Sequence, residues 1–147
     1  MINEGIKLRG YVALILRDKN GNIKEDRKVK NLIVDTGLNF ICDRMKDDET
    51  AMTHMALGSG TTAAAAGDSA LGSEVARVAL TSTTVSSNTV TYVATFGAGT
   101  PSSAAAVTEA GLLNASSAGT MLCRTVFDVV NKGTADSMTI TWTVTVS

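Results

Sequence analysis

The end of the chain constrains the fold more than any other stretch. Over residues 138–146, Met138, Ile140, Trp142, Val144 and Val146 alternate with Thr139, Thr141, Thr143 and Thr145. A repeat of two is the repeat of a β-strand whose faces meet different surroundings; on a helix the same apolar residues would point in all directions. One face is apolar and the other carries only hydroxyls, so the strand must lie in a sheet with one side against a core. Upstream, from residue 76, the pattern consists of strands alone. They are read at 76–85, 89–96, 107–114 and 120–131, punctuated by a turn at Ser86-Ser87-Asn88, a Gly/Ser/Pro loop over 97–106, a turn over 116–119 and a loop over 132–136. About eight strands near ten-residue spacing indicate a sandwich or barrel. No internal repeat of fixed period is present.

The first third differs. Residues 5–18 read as a strand with Leu8, Val12, Leu14 and Leu16 on one face. The run Asp18-Lys19-Asn20-Gly21-Asn22 is a turn, Asn-Gly being its tightest signal, and 23–34 is the return strand. Its first half, Lys24-Glu25-Asp26-Arg27-Lys28, has almost no apolar face. It is either a protruding arm that docks on a charged partner or a solvated hairpin tip. Asp35 or Thr36 then caps a helix over 36–46, with Leu38, Ile41, Cys42 and Met45 as its core face. Residues 52–57 form a short apolar strand ending at Gly58-Ser59-Gly60. The Ala-rich run 61–67 is an ordered loop, and Asp68 caps a single turn over 69–74. The fold class is therefore mainly β: an antiparallel β-sandwich or jelly-roll-like module with an N-terminal β-hairpin and one short helix. Residues 1–34 form a charged hairpin or arm, and residues 35–147 the body with the inserted helix.

Charge follows the same division. Residues 1–50 hold 10 basic and 9 acidic side chains, against 3 and 5 in residues 51–147, which contain 18 Thr, 12 Ser and 18 Ala. The body solvates itself with hydroxyls, which suit a pleated surface but lack the charges that keep sheet edges apart. Such a surface points to close neighbours, including copies of the same chain. A formal net charge of −1 argues against a large basic nucleic-acid face. A 44% hydrophobic and 18% charged composition excludes a disordered chain. No stretch approaches the ~20 apolar residues of a membrane span, and the first residues lack a signal core, so a cytoplasmic origin is expected. Cys42 and Cys123, without CxxC spacing and with one His in the chain, read as buried free thiols rather than a zinc site.

Few motifs offer chemistry. Ile33-Val34-Asp35-Thr36-Gly37 resembles the catalytic loop of retropepsin-like aspartic proteases, whose dimers place two aspartates side by side. Leu38 replaces a small residue, a helical pattern follows, and the second signature is missing, so a helix start is the simpler reading. His54 is the single imidazole and reads as a polar residue at a strand start. There is no Gly-x-Ser-x-Gly elbow, dinucleotide loop or phosphate loop. The Asp18–Asn22 turn lacks the spacing of a calcium loop, and Asn114-Ala115-Ser116 is a chance glycosylation triplet. No catalytic residue, metal or cofactor is expected. Glu109 and Arg124 stand out as charges within body strands, with Asp128 four residues beyond Arg124. They form either an ion pair between subunits or a pair within one chain. The candidate interface residues are thus Lys24, Arg27, Lys28, Lys30, Glu109, Arg124 and Asp128.

Several segments taken in order resemble small virion proteins of tailed bacteriophages. They are Asn31-Leu32-Ile33-Val34-Asp35-Thr36-Gly37-Leu38, Ala56-Leu57-Gly58-Ser59-Gly60-Thr61-Thr62, Glu74-Val75-Ala76-Arg77-Val78, Thr95-Phe96, Thr108-Glu109-Ala110-Gly111-Leu112-Leu113-Asn114-Ala115, Arg124-Thr125-Val126-Phe127, and the run 137–147. The resemblance covers about four-fifths of the chain. It implies a trimeric β module without catalytic residues, either a cement protein decorating the capsid or an adaptor in a tail fibre or collar. The absence of heptads and of a repetitive stalk favours capsid decoration. The implied partners are the major capsid protein or another virion protein, and further copies of the chain; neither nucleic acid nor membrane is implied. The implied location is the virion, assembled in the bacterial cytoplasm. On this reading residues 5–30 and the helix face touch the shell, the C-terminal strands form the trimer, and deletion of residues 1–30 leaves a trimer that no longer decorates.

Overall fold

The alternating terminal segment is β10 (Ser137–Val146), third of five strands in its sheet and hydrogen-bonded along its length on both sides. Met138, Ile140, Trp142 and Val144 are buried, and Trp142 is fully enclosed. The computed structural model describes residues 5–47 and 49–147. Among these, β1 (Leu8–Arg17), β2 (Ile23–Lys30), β3 (Leu32–Ile33), α1 (Asp35–Met45), β4 (His54–Gly58), β5 (Glu74–Ala79), β6 (Ser82–Ser86), β7 (Thr89–Phe96), β8 (Ala105–Leu113) and β9 (Met121–Lys132) precede β10. The strands form two antiparallel five-stranded sheets, β2-β1-β10-β7-β6 and β3-β9-β8-β4-β5. Their inner faces share one apolar core, with Val12, Leu14, Leu16, Tyr92, Phe96 and Trp142 from the first sheet facing Met55, Leu57, Leu112, Cys123 and Phe127 from the second.

Two stretches read as single strands each cross between the sheets, so the described residues form ten strands rather than about eight. At Asn31 the chain leaves the first sheet, its N–H still bonded to the Gly10 carbonyl, and by Val34 it donates to Leu122 of the second. At residues 80 and 81 the reverse occurs: the Leu80 N–H bonds the Thr53 carbonyl and the Thr81 N–H the Val93 carbonyl. At each corner backbone N–H groups on both sides of the switch find carbonyl partners, while the Asn31 side-chain amide at the first corner is buried without a hydrogen-bond partner among the described residues.

The N-terminal hairpin is part of this core. β1 pairs with β10 from Leu8–Val146 to Arg17–Ser137, and Val12, Leu14 and Leu16 are at most 1% exposed. The hairpin of β1 and β2 is therefore not a separable arm, and deleting residues 1–30 would remove two adjacent strands of a five-stranded sheet together with their core side chains.

The helix packs against β9 and adds Phe40 to the common core, turned by one position from the expected face. Gly37 and Phe40 are buried and Ile41 is partly covered, whereas Leu38 is 44% and Met45 85% exposed. The cause is Gly37: a Cβ there would collide with the Leu122 carbonyl oxygen, so only a glycine lets the helix approach β9 this closely. Neither Asp35 nor Thr36 caps the helix. Val34 holds the N-cap position without a side-chain bond, and the Thr36 hydroxyl instead donates to the Met121 carbonyl at 2.8 Å, tying the first turn to β9. Cys123 is buried as expected, but Cys42 is exposed because it lies on the outer side of this rotated helix.

Candidate interaction surface

Glu109 and Arg124 meet within one chain. Glu109 is fully buried and Arg124 2% exposed. The Glu109 carboxylate accepts backbone N–H groups of Gly60 (2.9 Å) and Ser73 (2.8 Å) on Oε1, and of Gly72 (2.9 Å) on Oε2. Arg124 completes the set, donating from Nε and Nη2 to Oε2. Its remaining donors reach Asp68 Oδ2 (2.7 Å) and the Thr62 carbonyl (3.0 Å). The carboxylate takes five hydrogen bonds and the guanidinium spends four of its five N–H groups within the chain, and both side chains are buried, so the pair is made inside one subunit rather than between two. Their work is to clamp the loop over residues 59–73 onto β8 and β9.

Burial raises the carboxyl pKa of Glu109, but the bonds from Ser73, Gly72, Arg124 and Gly60 outweigh it and hold the group below its ordinary value. Asp68 is also lowered, chiefly by the Ala65 N–H, with Arg124 adding to it. Asp68 is the member of the network that sequence reading misplaced. It caps no helical turn over 69–74; its Oδ2 accepts the Ala65 N–H and the guanidinium inside the loop. The signal for this arrangement was Gly58-Ser59-Gly60 together with the isolated Glu109. A Cβ on either glycine would strike the Glu109 carboxylate, so both positions must be bare for it to enter.

Asp128 does not join Arg124: its side chain is exposed, whereas that of Arg124 is buried. Between Val107–Val130 and Glu109–Val126 the register of β9 slips against β8, and the bulge breaks the period of two. The Asp128 side chain is exposed, while its backbone carbonyl accepts Arg27 Nη1 at 3.1 Å. Arg27 also donates to Glu25 and to the Val129 carbonyl, bracing β2 against the bulge of β9. Lys24 pairs with Asp136 at 2.8 Å. Asp136 in turn accepts the Gly133 N–H, and its carbonyl accepts the buried ammonium of Lys132, whose pKa is lowered by burial.

Lys28 and Lys30 remain exposed on β2, with the Lys28 ammonium 5.6 Å from the Tyr11 ring centre. Beside them a groove of about 540 Å³ is lined by Ile6, Leu8, Tyr11, Leu32, Ile33 and Leu38, with Arg9 and Lys30 on its border. Ile6 is 76% and Tyr11 44% exposed, so this face carries uncovered apolar area next to cations. The outer surface of β10 and β7 in the same sheet is different. Thr139, Thr141, Thr143 and Thr145 of β10 register with Thr95, Val93, Thr91 and Thr89 of β7, a surface of hydroxyls with no charge. Asp35 stands exposed in the first turn of α1, and His54 opens β4 with Nδ1 2.8 Å from the Thr53 hydroxyl. Comparison with family models, with curated proteins and with solved structures finds no match for this chain.

Proposed function

We propose that this chain is a structural protein of a tailed-phage particle, a cement protein that decorates the capsid. The observation that carries the reading is the segregation of its surface. One side combines an apolar groove with the cations Arg9, Lys28 and Lys30, and the neighbouring β10 and β7 present only hydroxyls and small apolar groups. An apolar floor bordered by cations fits a shell-protein segment with aliphatic anchors flanked by carboxylates. The charges would set orientation and encounter rate, and the groove would supply affinity. As a trimer joined through the β body, the protein would bring three such faces to the shell together. Many modest contacts on a symmetric lattice then add by avidity, and binding to the assembled shell stabilises it by mass action.

The test is imaging of phage particles from lysates in which the chain is expressed, labelled with a gold-conjugated antibody against it. Label over the whole head is the expected result. Label at one vertex would assign the chain to a collar or tail adaptor, and particles without label would end the virion reading. The variant Lys28→Glu/Lys30→Glu is expected to fold normally and to leave heads unlabelled. Unchanged labelling would remove this face from the docking surface.

A further inference from the structure

The four strands at the borders of the two sheets are protected unequally. β2 carries Lys24, Asp26, Lys28 and Lys30, β5 carries Glu74 and Arg77, and β3 has only two residues. Charge and shortness are the usual means by which an edge resists pairing with another chain. The fourth, β6 (Ser82-Thr83-Thr84-Val85-Ser86), has neither charge nor proline, and all five residues are exposed. Its register with β7 shows which groups are free. Residues 87 and 88 form a two-residue turn, with Ser87 at φ 51°, so Ser86 bonds Thr89 across it. By the alternation of antiparallel pairing, the N–H and C=O groups of Thr83 and Val85 point away from β7, along the open edge.

A second feature coincides with this edge. Thr83 and Val85 register with Tyr92 and Val90, whose side chains pack on the core. Val85 thus belongs to the inner layer, yet it is 70% exposed. The core is open on this side, and a strand added to β6 would supply what covers Val85.

We infer that β6 is a two-fold pairing site for a second copy of this chain. Set antiparallel about Thr84, the strand is its own complement. Thr83 faces the partner's Val85 and Val85 the partner's Thr83, each pair exchanging two hydrogen bonds, while Thr84 faces the partner's Thr84. The two valines become diagonal neighbours in the inner layer, and no like charges meet. β2 cannot do the same: centred on Arg27 it opposes Lys24 to Lys30, and centred on Asp26 it opposes Lys24 to Lys28 and Asp26 to itself. The inference does not rest on the virion reading. A two-fold contact doubles whatever assembly the other surfaces form, a single chain or a trimer.

The test uses the full chain carrying Cys42→Ser, which removes the exposed thiol and leaves the buried Cys123. In this background Thr84→Cys is expected to oxidise to a species of two chains, since a non-hydrogen-bonded antiparallel pair brings Cα atoms within disulfide range. Asp26→Cys on the opposite border is expected not to. Val85→Lys, without added cysteine, is expected to halve the mass measured by light scattering and to keep the wild-type circular dichroism spectrum. Absence of the Thr84→Cys cross-link above the Asp26→Cys level, or an unchanged mass in Val85→Lys, overturns the inference. If Val85→Lys keeps its mass but loses phage heads, the edge belongs to a strand of the shell protein instead.

Discussion

Arg124 reaches Glu109 with two nitrogens at once, Nε at 3.0 Å and Nη2 at 2.8 Å from the same carboxylate oxygen. The second carboxylate oxygen is left for the backbone N–H groups of Gly60 and Ser73. The pair is therefore less a cross-strand bond than the anchor of the loop over residues 59–73, whose Leu71 packs on Val34, Ala56, Leu113 and Met121.

Removing one partner of such a pair leaves the other buried without compensation. Glu109→Gln is expected to lower the unfolding free energy by about 3 kcal/mol, toward the low end for buried pairs because Asp68 still faces Arg124. Asp68→Asn, at a partly exposed site, should cost about 1 kcal/mol. Urea titration measures both. Hydrogen exchange should show the 59–73 loop loosening more in Glu109→Gln; equal costs for the two variants would deny Glu109 its central role.

The carboxyls of Glu109, Asp68 and Asp136 all lie below their ordinary values in the fold. The unfolded chain thus takes up protons first as pH falls, and stability is lost with it. These groups contribute fully above the ordinary values of 4.5 for Glu and 3.8 for Asp, and their contribution disappears as pH drops through the lowered values of the fold. Thermal melts across this range should be flat near neutrality and fall steeply in acid. Glu109→Gln should show a shallower fall, and a parallel curve would assign the acid sensitivity elsewhere.

Gly37 tests the docking of the helix. Gly37→Ala forces a methyl against the Leu122 carbonyl, and α1 must lift from β9, at about 1–3 kcal/mol. Gly67→Ala, where a Cβ meets nothing within 4 Å, should change stability by under about 0.5 kcal/mol. Denaturant midpoints with an unchanged slope separate the two.

Trp142 is the sole tryptophan and is fully buried between the sheets. Its emission should be blue-shifted in the folded protein and move to longer wavelength in one step with loss of the near-ultraviolet dichroism. Its indole N–H has no hydrogen-bond partner among the described residues, so Trp142→Phe gives up volume but no bond. Trp142→Ala should cost about 3–5 kcal/mol and Trp142→Phe clearly less; equal losses in urea melts would mean that the indole N–H is bonded after all.

Most strands were legible because their signal is local. In β10 and β7 each side chain meets the same kind of surroundings as the one two positions away, and the spans agree closely with the alternation. The helix was legible as a helix, but not its orientation. Leu38, Ile41, Cys42 and Met45 satisfy the same spacing as Gly37, Phe40 and Ile41, and only contact with Leu122 chooses between them. The split of residues 76–85 at Leu80 and Thr81 was hidden for a similar reason, because both halves favour extended backbone and the bonds that divide them come from Thr53 and Val93.

The sequence by itself determined a mainly β module, the course of most of its strands, the turn at Asp18–Asn22 and the concentration of charge in the first third. Periodicity, turn residues and composition act over a few neighbours and need no knowledge of the rest of the chain. Tertiary structure alone decided that the charged hairpin enters the central sheet, that Glu109 and Arg124 face each other rather than a neighbour, and that β6 is left as an uncharged open edge. Each depends on which distant segments become adjacent, and that is set by closure of a common core, where Val12 of β1 meets residues more than a hundred positions away.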